Sequence, residues 1–388
     1  MQPSAILSAD KRRTLSGMAA VAAVILAIGL IVSPERAWSS AFVAAFYLLT
    51  IGLGGALFVA LTYVTGAGWN VAFRRVPEAM ALIIPFAGAA TVAVLALRIQ
   101  QYGWHHHGEG GAGTFWFKEL WLTPSFWFTR SIGYVIVWSL LAGQLVHRSR
   151  KQATASTGSA LPGTVRLSAV FLIVYALTFS LASADWIMAL EPMWFSTMWG
   201  VYNFSGMILA ALAVTVILCI RLSKKNGPLR DAFRVEHLHD LGKLLVGFSC
   251  FWMYIWFSQY MLIWYSNIPE ETSYFITRTN GPWGPVVVIS IALNWLVPFF
   301  VLLPKPAKRS RIVMMRVAIV LLIGRWVDLY LMVYPSIFGE TPVFGICELA
   351  AACCGTVAGI YLLDRAFRSG DPVPQNDVYL EESLHYHA

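Results

Sequence analysis

The sequence predicts an all-α polytopic membrane protein with ten transmembrane helices. Of its 388 residues, 58% are hydrophobic and only 12% are charged. The apolar residues gather into ten stretches of roughly 20 residues, the length of helix that crosses a bilayer core. Sheet is disfavoured because open strand edges in lipid leave backbone groups unpaired. The stretches are 15–33, 41–66, 76–99, 126–147, 165–189, 195–221, 239–265, 281–303, 311–334 and 343–367.

The distribution of Lys and Arg predicts the orientation of these spans. Basic residues gather at the N-terminus, in alternate loops and at the C-terminus, whereas the other loops hold only Arg36, Lys118 and Arg278. The positive-inside rule then places both termini in the cytoplasm and the 100–125 loop outside. This topology explains the net charge of +8 without a nucleic-acid partner, and the 221–234 loop could also contact anionic lipids.

The first stretch is predicted to be a retained anchor rather than a cleaved signal peptide. It follows the basic residues Lys11, Arg12 and Arg13. Its apolar run of about 19 residues exceeds the roughly 7–15 residues of a signal-peptide core.

The Cys and His residues do not predict a redox centre or a metal site in this chain. All five Cys fall within predicted spans, with no Cys-x-x-Cys pair, and no His lies in the middle of a span. Iron–sulfur clusters need Cys thiolates, and haem b needs axial His ligands. The triplet His105, His106 and His107 lies in a Gly-rich loop that fixes no ligand geometry, so we expect a solvated loop there. Any electron carriers are expected in partner subunits.

Charged residues within the spans are the candidate functional residues, because burying charge in a membrane is costly. They form two predicted layers. The cytoplasmic layer contains Glu78, His239, Asp240 and Lys243, and the outer layer contains Arg130, Asp185, Arg325, Asp328 and Glu348.

Simpler interpretations compete with a functional one at several of these positions. Glu78 and Asp240 could complement the dipole of a first helical turn. Arg130 could reach the lipid headgroups. Asp328 could serve only to neutralise Arg325, because residues three apart share a helix face.

An internal echo predicts two four-helix units, spans 2–5 and 6–9. Asp185 and Asp328 each precede a proline by seven residues, Pro192 and Pro335. Glu78 and Asp240 open the corresponding spans three and seven. Repeats of this kind occur in transporters and in redox-linked membrane subunits. The predicted organisation is a cytoplasmic N-terminus and anchor (1–40), two bundles (41–192 and 193–340), a last span (341–370) and an extended polar cytoplasmic tail (371–388).

Five segments resemble the ActF-type membrane subunits of bacterial alternative complex III, a quinol oxidoreductase of respiratory or photosynthetic electron transfer. The resemblance covers about residues 40–365. The segments are GAGWNVAFRRVPEA (66–79), SADWIMALEPMWFSTMWGVY (183–202), HDLGKLL (239–245), FSQYMLIWYSNIPEE (257–271) and GRWVDLYLMVYP (324–335).

The resemblance implies the NrfD-like (polysulfide-reductase membrane-subunit) fold in a bacterial inner membrane, with two four-helix bundles flanked by one helix at each end. It implies that haem c and iron–sulfur clusters reside in partners: an iron–sulfur subunit and multihaem and monohaem cytochromes c. Other implied partners are the sister membrane subunit ActC, small membrane subunits and lipids. It also implies proton half-channels, for which the matching positions are Asp185, His239, Asp240, Lys243, Arg325 and Asp328; Glu78 and Glu348 join them from the charge layers.

Three other functions remain open from the residues. A quinone could bind near the outer interface at Arg130 and Trp186, although a quinol-oxidising site also needs a base and a nearby electron acceptor. The chain could be a free-standing secondary transporter, but most of its prolines lie near span ends, with Pro85 and Pro298 as exceptions, whereas transporter sites favour helices broken at mid-depth. It could also be a scaffold that carries no protons.

Overall fold

The computed structural model describes residues 8–99, 102, 120–152, 161–191, 193–339, 341–368 and 370–387, which form helices and turns but no strand. The predicted all-α class is therefore confirmed for these residues. A 3₁₀ turn forms at Val71–Phe73, and a π-helical turn forms at Ala292–Leu296. The helices are α1 (Ala9–Val32), α2 (Pro34–Val64), α3 (Arg75–Ala81), α4 (Ile84–Leu97), α5 (Pro124–Gln152), α6 (Leu161–Trp186), α7 (Trp199–Leu222), α8 (Val235–Ser266), α9 (Pro269–Thr279), α10 (Gly284–Ile291), α11 (Val297–Leu302), α12 (Lys305–Arg309), α13 (Arg311–Phe338), α14 (Ile346–Phe367) and α15 (Leu380–Leu384).

Nine helical segments in the described part of the chain are long and apolar enough to cross a membrane. They match nine of the ten predicted spans. The remaining predicted span, 311–334, is the ninth along the chain. It forms the 28-residue helix α13 but is not among the nine segments. The long apolar helices indicate a membrane protein, and the count of ten stays a prediction.

The central helices α2 and α7 hold the two halves of the molecule together. Besides contacting each other, α2 packs against α3, α4, α6 and α14, and α7 packs against α6, α8 and α13. A Cβ on Gly54 of α2 would overlap the side chain of Ala211 on α7. The two backbones therefore approach closely, as small residues permit in membrane helix pairs.

The two ends of the helix assembly differ in charge. One end, here called the basic end, carries Arg75, Lys243, Lys308 and Arg311 close to the ends of α3, α8, α12 and α13. The other, here called the opposite end, is covered by the short amphipathic helix α9.

Two prolines inside helical segments each leave a backbone carbonyl without its helical hydrogen bond. A side chain from another helix donates a hydrogen bond to that carbonyl instead. Pro298 cannot donate to the carbonyl of Asn294, four residues earlier. That carbonyl accepts a hydrogen bond from Ser249 Oγ at 2.5 Å. Pro335 likewise frees the carbonyl of Leu331, which accepts from Arg278 Nε of α9 at 2.9 Å. These two bonds replace the backbone hydrogen bonds that the prolines cannot make.

The outward face of α6 is apolar. Val170, Ile173, Leu177 and Leu181 recur every three or four residues and are exposed, whereas Phe171 and its neighbours on the opposite face are buried. A water-soluble helix would show polar residues on its outward face. An apolar outward stripe instead suits contact with hydrocarbon.

The C-terminal segment is not the extended tail predicted from its polarity. Residues 373–387 fold back onto the basic end, where they include α15 and several turns. Ser383 is fully buried, and Asp377 is 7% exposed. Contacts with residues distant in sequence hold this segment, so its local composition did not reveal them.

Gly54→Ala is expected to destabilise the protein by about 1–3 kcal/mol, because overpacking forces the backbones of α2 and α7 apart. Thermal unfolding of the purified protein in lipid nanodiscs measures the loss. Gly143→Ala on α5 is the matched control, because no atom lies within 4 Å of its added Cβ. Equal stability of the two variants would contradict the close packing of α2 on α7.

Candidate functional site

Arg325 and Asp328 form a fully enclosed ion pair on α13, with 0% and 1% of their side chains exposed. Asp328 accepts hydrogen bonds from Arg325, from the hydroxyl of Tyr202 and, at 3.2 Å, from Trp252 Nε1. Arg325 also donates to Asn203 Oδ1 at 3.3 Å. The prediction that the two residues share a face and neutralise each other is confirmed.

Asp185, near the end of α6, is the acid of a second buried ion pair. Its carboxylate accepts from Arg130 Nη2 at 3.0 Å and from Arg130 Nε at 3.2 Å. Trp121 Nε1 donates at 2.8 Å and the Tyr134 hydroxyl at 3.1 Å. The guanidinium of Arg130 stacks over Trp121, 3.8 Å from the ring centroid. The alternative that Arg130 extends toward lipid headgroups is therefore wrong.

Asp185 and Asp328 have the same kinds of donor around them: one arginine, one tryptophan indole and one tyrosine hydroxyl. The sequence echo predicted equivalent acids in the two halves of the chain, and their similar surroundings agree with that prediction. Of the two prolines in the echo, Pro335 lies within α13, whereas Pro192 lies outside the described residues.

Trp186 is adjacent to Asp185 but points into the protein core. Its ring is fully buried, and its Nε1 donates to Ser131 Oγ at 2.9 Å. The predicted quinone contacts, Arg130 and Trp186, are therefore both engaged by other side chains. A quinone site at this position stays a prediction.

Glu348 belongs to a third ion pair, separate from Asp185 and Asp328. It accepts from Arg36 Nε at 2.7 Å and Nη2 at 2.6 Å, and from the backbone N–H of Gly345 at 2.7 Å. The last contact caps the N-terminus of α14. The second span was predicted to begin at 41, but α2 begins at Pro34, so Arg36 is helical and reaches Glu348. Capping and pairing account for this acid.

At the basic end, Glu78 of α3 ends a chain of hydroxyl groups. It accepts from Arg75 Nη1 at 2.5 Å and from Ser149 Oγ at 2.5 Å. Ser149 in turn accepts from the Tyr63 hydroxyl at 2.8 Å. Each hydroxyl in this series donates a hydrogen bond to the next oxygen, and the series ends at a fully buried carboxylate.

Asp240 lies in the second turn of α8, because the helix begins at Val235 rather than at the predicted 239. The interpretation that Asp240 complements a first-turn dipole is therefore wrong; Glu236 occupies that turn. Asp240 pairs with Lys243 and accepts from the Tyr386 hydroxyl at 2.5 Å. This hydrogen bond, together with burial, raises the pKa of Tyr386 to about 12, so the hydroxyl stays protonated at neutral pH.

His239 does not join the hydrogen bonds around Asp240. It is 7% exposed, and its Nδ1 has no hydrogen-bond partner among the described residues. Of the predicted inner layer, the structure thus brings together Asp240 and Lys243, places Glu78 in a separate network, and leaves His239 without a partner at Nδ1.

A small cavity adjoins Asp328 on the side of the opposite end. Its volume is about 20 Å³, and its lining includes Tyr202, Gln259, Tyr274 and Asp328. A cavity of this size holds about one water molecule. Tyr274 belongs to α9, so the cavity lies between the buried ion pair and the surface.

Several site residues were missed from the sequence. Trp252 and Trp121 donate to the two acids, but tryptophan in membrane spans is common near interfaces, so neither stood out. Asn294 had a signal, since an amide in the middle of an apolar stretch is unusual. It is fully buried beside Gly324. Tyr386 and Asp377 carried no local signal.

The described residues contain no group of three or more His, Cys, Asp and Glu placed to hold a metal ion. The five cysteines are free. The His105–His107 triplet lies outside the described residues.

No protein-family model and no curated protein matches this chain. Function is therefore inferred from its residues and their geometry.

Asp328→Leu is expected to lower the stability of the protein by about 3–5 kcal/mol, because it leaves Arg325 buried without its counter-charge. The double variant Arg325→Met, Asp328→Leu should recover most of that loss, since it removes both charges. Thermal unfolding of the single and double variants measures this. A double variant no more stable than the single one would contradict the pairing.

Proposed function

We propose that this chain is a cofactor-free membrane subunit of a quinol-oxidising electron-transfer complex of the alternative complex III type, in which its buried acids carry protons. The observation that carries the proposal is Asp328, a buried acid with three side-chain donors beside a cavity of about one water. Intramembrane acids so placed mark proton routes. The five segments that resemble ActF-type subunits supply the identity of the complex.

The proposed architecture is ten spans in two four-helix bundles flanked by α1 and α14. Its support is that α2, α4, α5 and α6 contact one another in sequence around a ring, as do α7, α8, α10–α11 and α13. α1 packs on α14 and α2. In this architecture α13 is the ninth span along the chain, tolerated in the bilayer because Arg325 and Asp328 neutralise each other.

The proposed orientation places the basic end in the cytoplasm of a bacterial inner membrane. Glu78 and Asp240 then face the cytoplasmic side. Asp185, Asp328 and the cavity beside Asp328 face the outer side. Protons would be taken up near Glu78 or Asp240 and released through the cavity beneath α9. The described contacts do not join the two layers into one chain, so half-channels fit better than a continuous wire.

Arg325 gives Asp328 a way to couple proton transfer to a conformational change. Protonating Asp328 removes the counter-charge of Arg325, whose remaining hydrogen-bond partner is Asn203 at 3.3 Å. An unpaired buried charge costs several kcal/mol. Protonation therefore favours a rearrangement around Arg325, and redox change in a partner subunit could drive the same rearrangement.

In this proposal the redox groups belong to partners: haem c in multihaem and monohaem cytochromes, and clusters in an iron–sulfur subunit. The sister subunit ActC and small membrane subunits complete the assembly. Quinol binding to this chain itself would involve Arg130 and Trp186 and is a secondary proposal.

Two helix interruptions bear on the alternative of a secondary transporter. The third predicted span is interrupted between α3 and α4, next to Pro85, and the eighth contains the π-helical turn before Pro298. Transporter sites use interrupted helices in corresponding positions of their two halves. These two interruptions fall in the second span of one unit and the third of the other, so they do not correspond.

Purification through a tag on this chain, in mild detergent, is expected to bring down c-type haem and an iron–sulfur subunit, with quinol-dependent cytochrome reduction. Mass spectrometry and a reduced-minus-oxidised spectrum provide the measurement. A colourless, monodisperse single protein with substrate uptake would instead establish the transporter.

Asp328→Asn is expected to lower proton translocation per electron, because the amide retains the shape of the side chain and can accept from Arg325 but cannot carry the proton. Since it also removes the counter-charge of Arg325, the comparison uses preparations whose subunit composition equals that of the wild type. The measurement is the proton-to-electron ratio of the complex in vesicles. Asp231→Asn is the control, since the Asp231 side chain is 95% exposed. An unchanged ratio in Asp328→Asn would reject the proton role and leave a scaffold.

A further inference from the structure

The C-terminal segment 373–387 bridges the two halves of the chain at the basic end. Ser383 Oγ accepts from the backbone N–H of Ala72 at 3.0 Å and donates to the carbonyl of Trp69 at 2.7 Å. The carbonyl of Ser383 accepts from His237 Nε2 at 3.0 Å. One residue of the segment thus binds both the turn after α2 and the first turn of α8.

The segment is joined to Glu78 through buried side chains. Asp377 pairs with Arg74 at 2.6 Å, and their side chains are 0% and 3% exposed. Arg74 Nη1 also donates to the Tyr63 hydroxyl at 2.9 Å, the first group of the series that ends at Glu78. Asp377 therefore covers the surface end of that series.

The same segment covers Asp240. The Tyr386 hydroxyl donates to Asp240, and the Tyr386 ring stacks on His237 with centroids 5.9 Å apart and an interplanar angle of 18°. With this ring in place, 9% of the Asp240 side chain is exposed. The two acids of the basic end, which have separate networks, are thus covered by one segment.

The contacts of the segment are mostly polar: those of Asp377 and Ser383 are buried, and the rest lie close to the surface. α15 has only five residues, and Glu381, Glu382 and His385 are exposed. Segments with few buried apolar contacts open at low free-energy cost. The segment is also acidic, through Asp377, Glu381 and Glu382, and it lies on a basic surface.

We propose that residues 373–387 form a latch that closes the basic-end approach to Glu78 and Asp240, and that its release exposes both acids together. The proposal rests on the proposed function only for the role of these acids in proton uptake. The latch itself controls the access of water-soluble reagents to the two acids, so it is tested without any measurement of proton transfer.

The test is carboxyl labelling of the full chain in lipid nanodiscs with a water-soluble carbodiimide and glycine ethyl ester, quantified residue by residue by mass spectrometry. Ending the chain after Arg368 is expected to raise labelling of Asp240 at least tenfold. Asp231 should be labelled equally in both proteins because it is exposed, and Asp328 should stay unlabelled. Equal labelling of Asp240 in both would overturn the proposal.

Point variants separate loss of the latch from general misfolding. Tyr386→Phe keeps the ring stacking but removes the bond to Asp240, and Asp377→Asn weakens the pair with Arg74. Each should raise Asp240 labelling severalfold. The matched controls are Tyr379→Phe, in the same segment, and Asp371→Asn, two residues before it; the altered groups make no hydrogen bond or ion pair among the described contacts. Controls that raise labelling as much would overturn the specific contacts.

A reversible lock tests whether the latch opens in the native protein. Ala72→Cys with Ser383→Cys places one thiol on each of two neighbouring residues, whose native backbone N–H and side-chain hydroxyl are hydrogen-bonded at 3.0 Å. The oxidised variant should label more slowly at Asp240 than the wild type, and reduction should raise labelling to the wild-type rate or above it, because Ser383→Cys removes the hydroxyl that binds Ala72 and Trp69. Identical slow labelling of the oxidised variant and the wild type would show a permanent cover and reject the latch. Loss of proton translocation in Asp328→Asn bears on the proposed function alone.

Discussion

The buried ion pair between Arg325 and Asp328 requires the helices around it to supply hydrogen-bond partners and space. Because neither side chain is exposed at the surface, α7 and α8 must supply the hydroxyl of Tyr202, the amide of Asn203 and the indole of Trp252. A Cβ at Gly206 of α7 would overlap the Arg325 guanidinium, so that helix also provides the space. Burying two opposite charges is tolerated only when neighbours satisfy their remaining hydrogen-bonding groups. The position of α13 against α7 and α8 follows from this demand.

The same logic applies to the other acids. Asp185 has Arg130, Glu348 has Arg36, Glu78 has Arg75 and Asp240 has Lys243. These pairs allow an apolar chain to bury charged side chains. Their donors come from several helices, so the arrangement of the helices and the state of the acids depend on each other.

Much of this was predictable from the sequence. The apolar stretches predicted the long helices, and the three-residue spacing predicted that Arg325 and Asp328 share a helix face. Element ends were less predictable: α2 begins at Pro34 and α8 at Val235, because Arg36 and His237 find partners far away in sequence. The folded-back C-terminal segment was missed for the same reason. Its polar composition favours exposure to solvent. Its contacts with Arg74 and Asp240, and those of Ser383, hold it against the protein instead.

The carbonyl freed by Pro335 gives α13 an uneven mechanical character. On one side of Leu331 the helix is fixed to the interior through Asp328; on the other it is tied to α9 and to Glu191 through Arg278 and Ser336. Between them one backbone hydrogen bond of the helix is replaced by a contact to a side chain. Helices bend where such a bond is absent. α13 therefore has a built-in hinge one turn from its buried charge, and a shift of α9 can be absorbed there without breaking the pair.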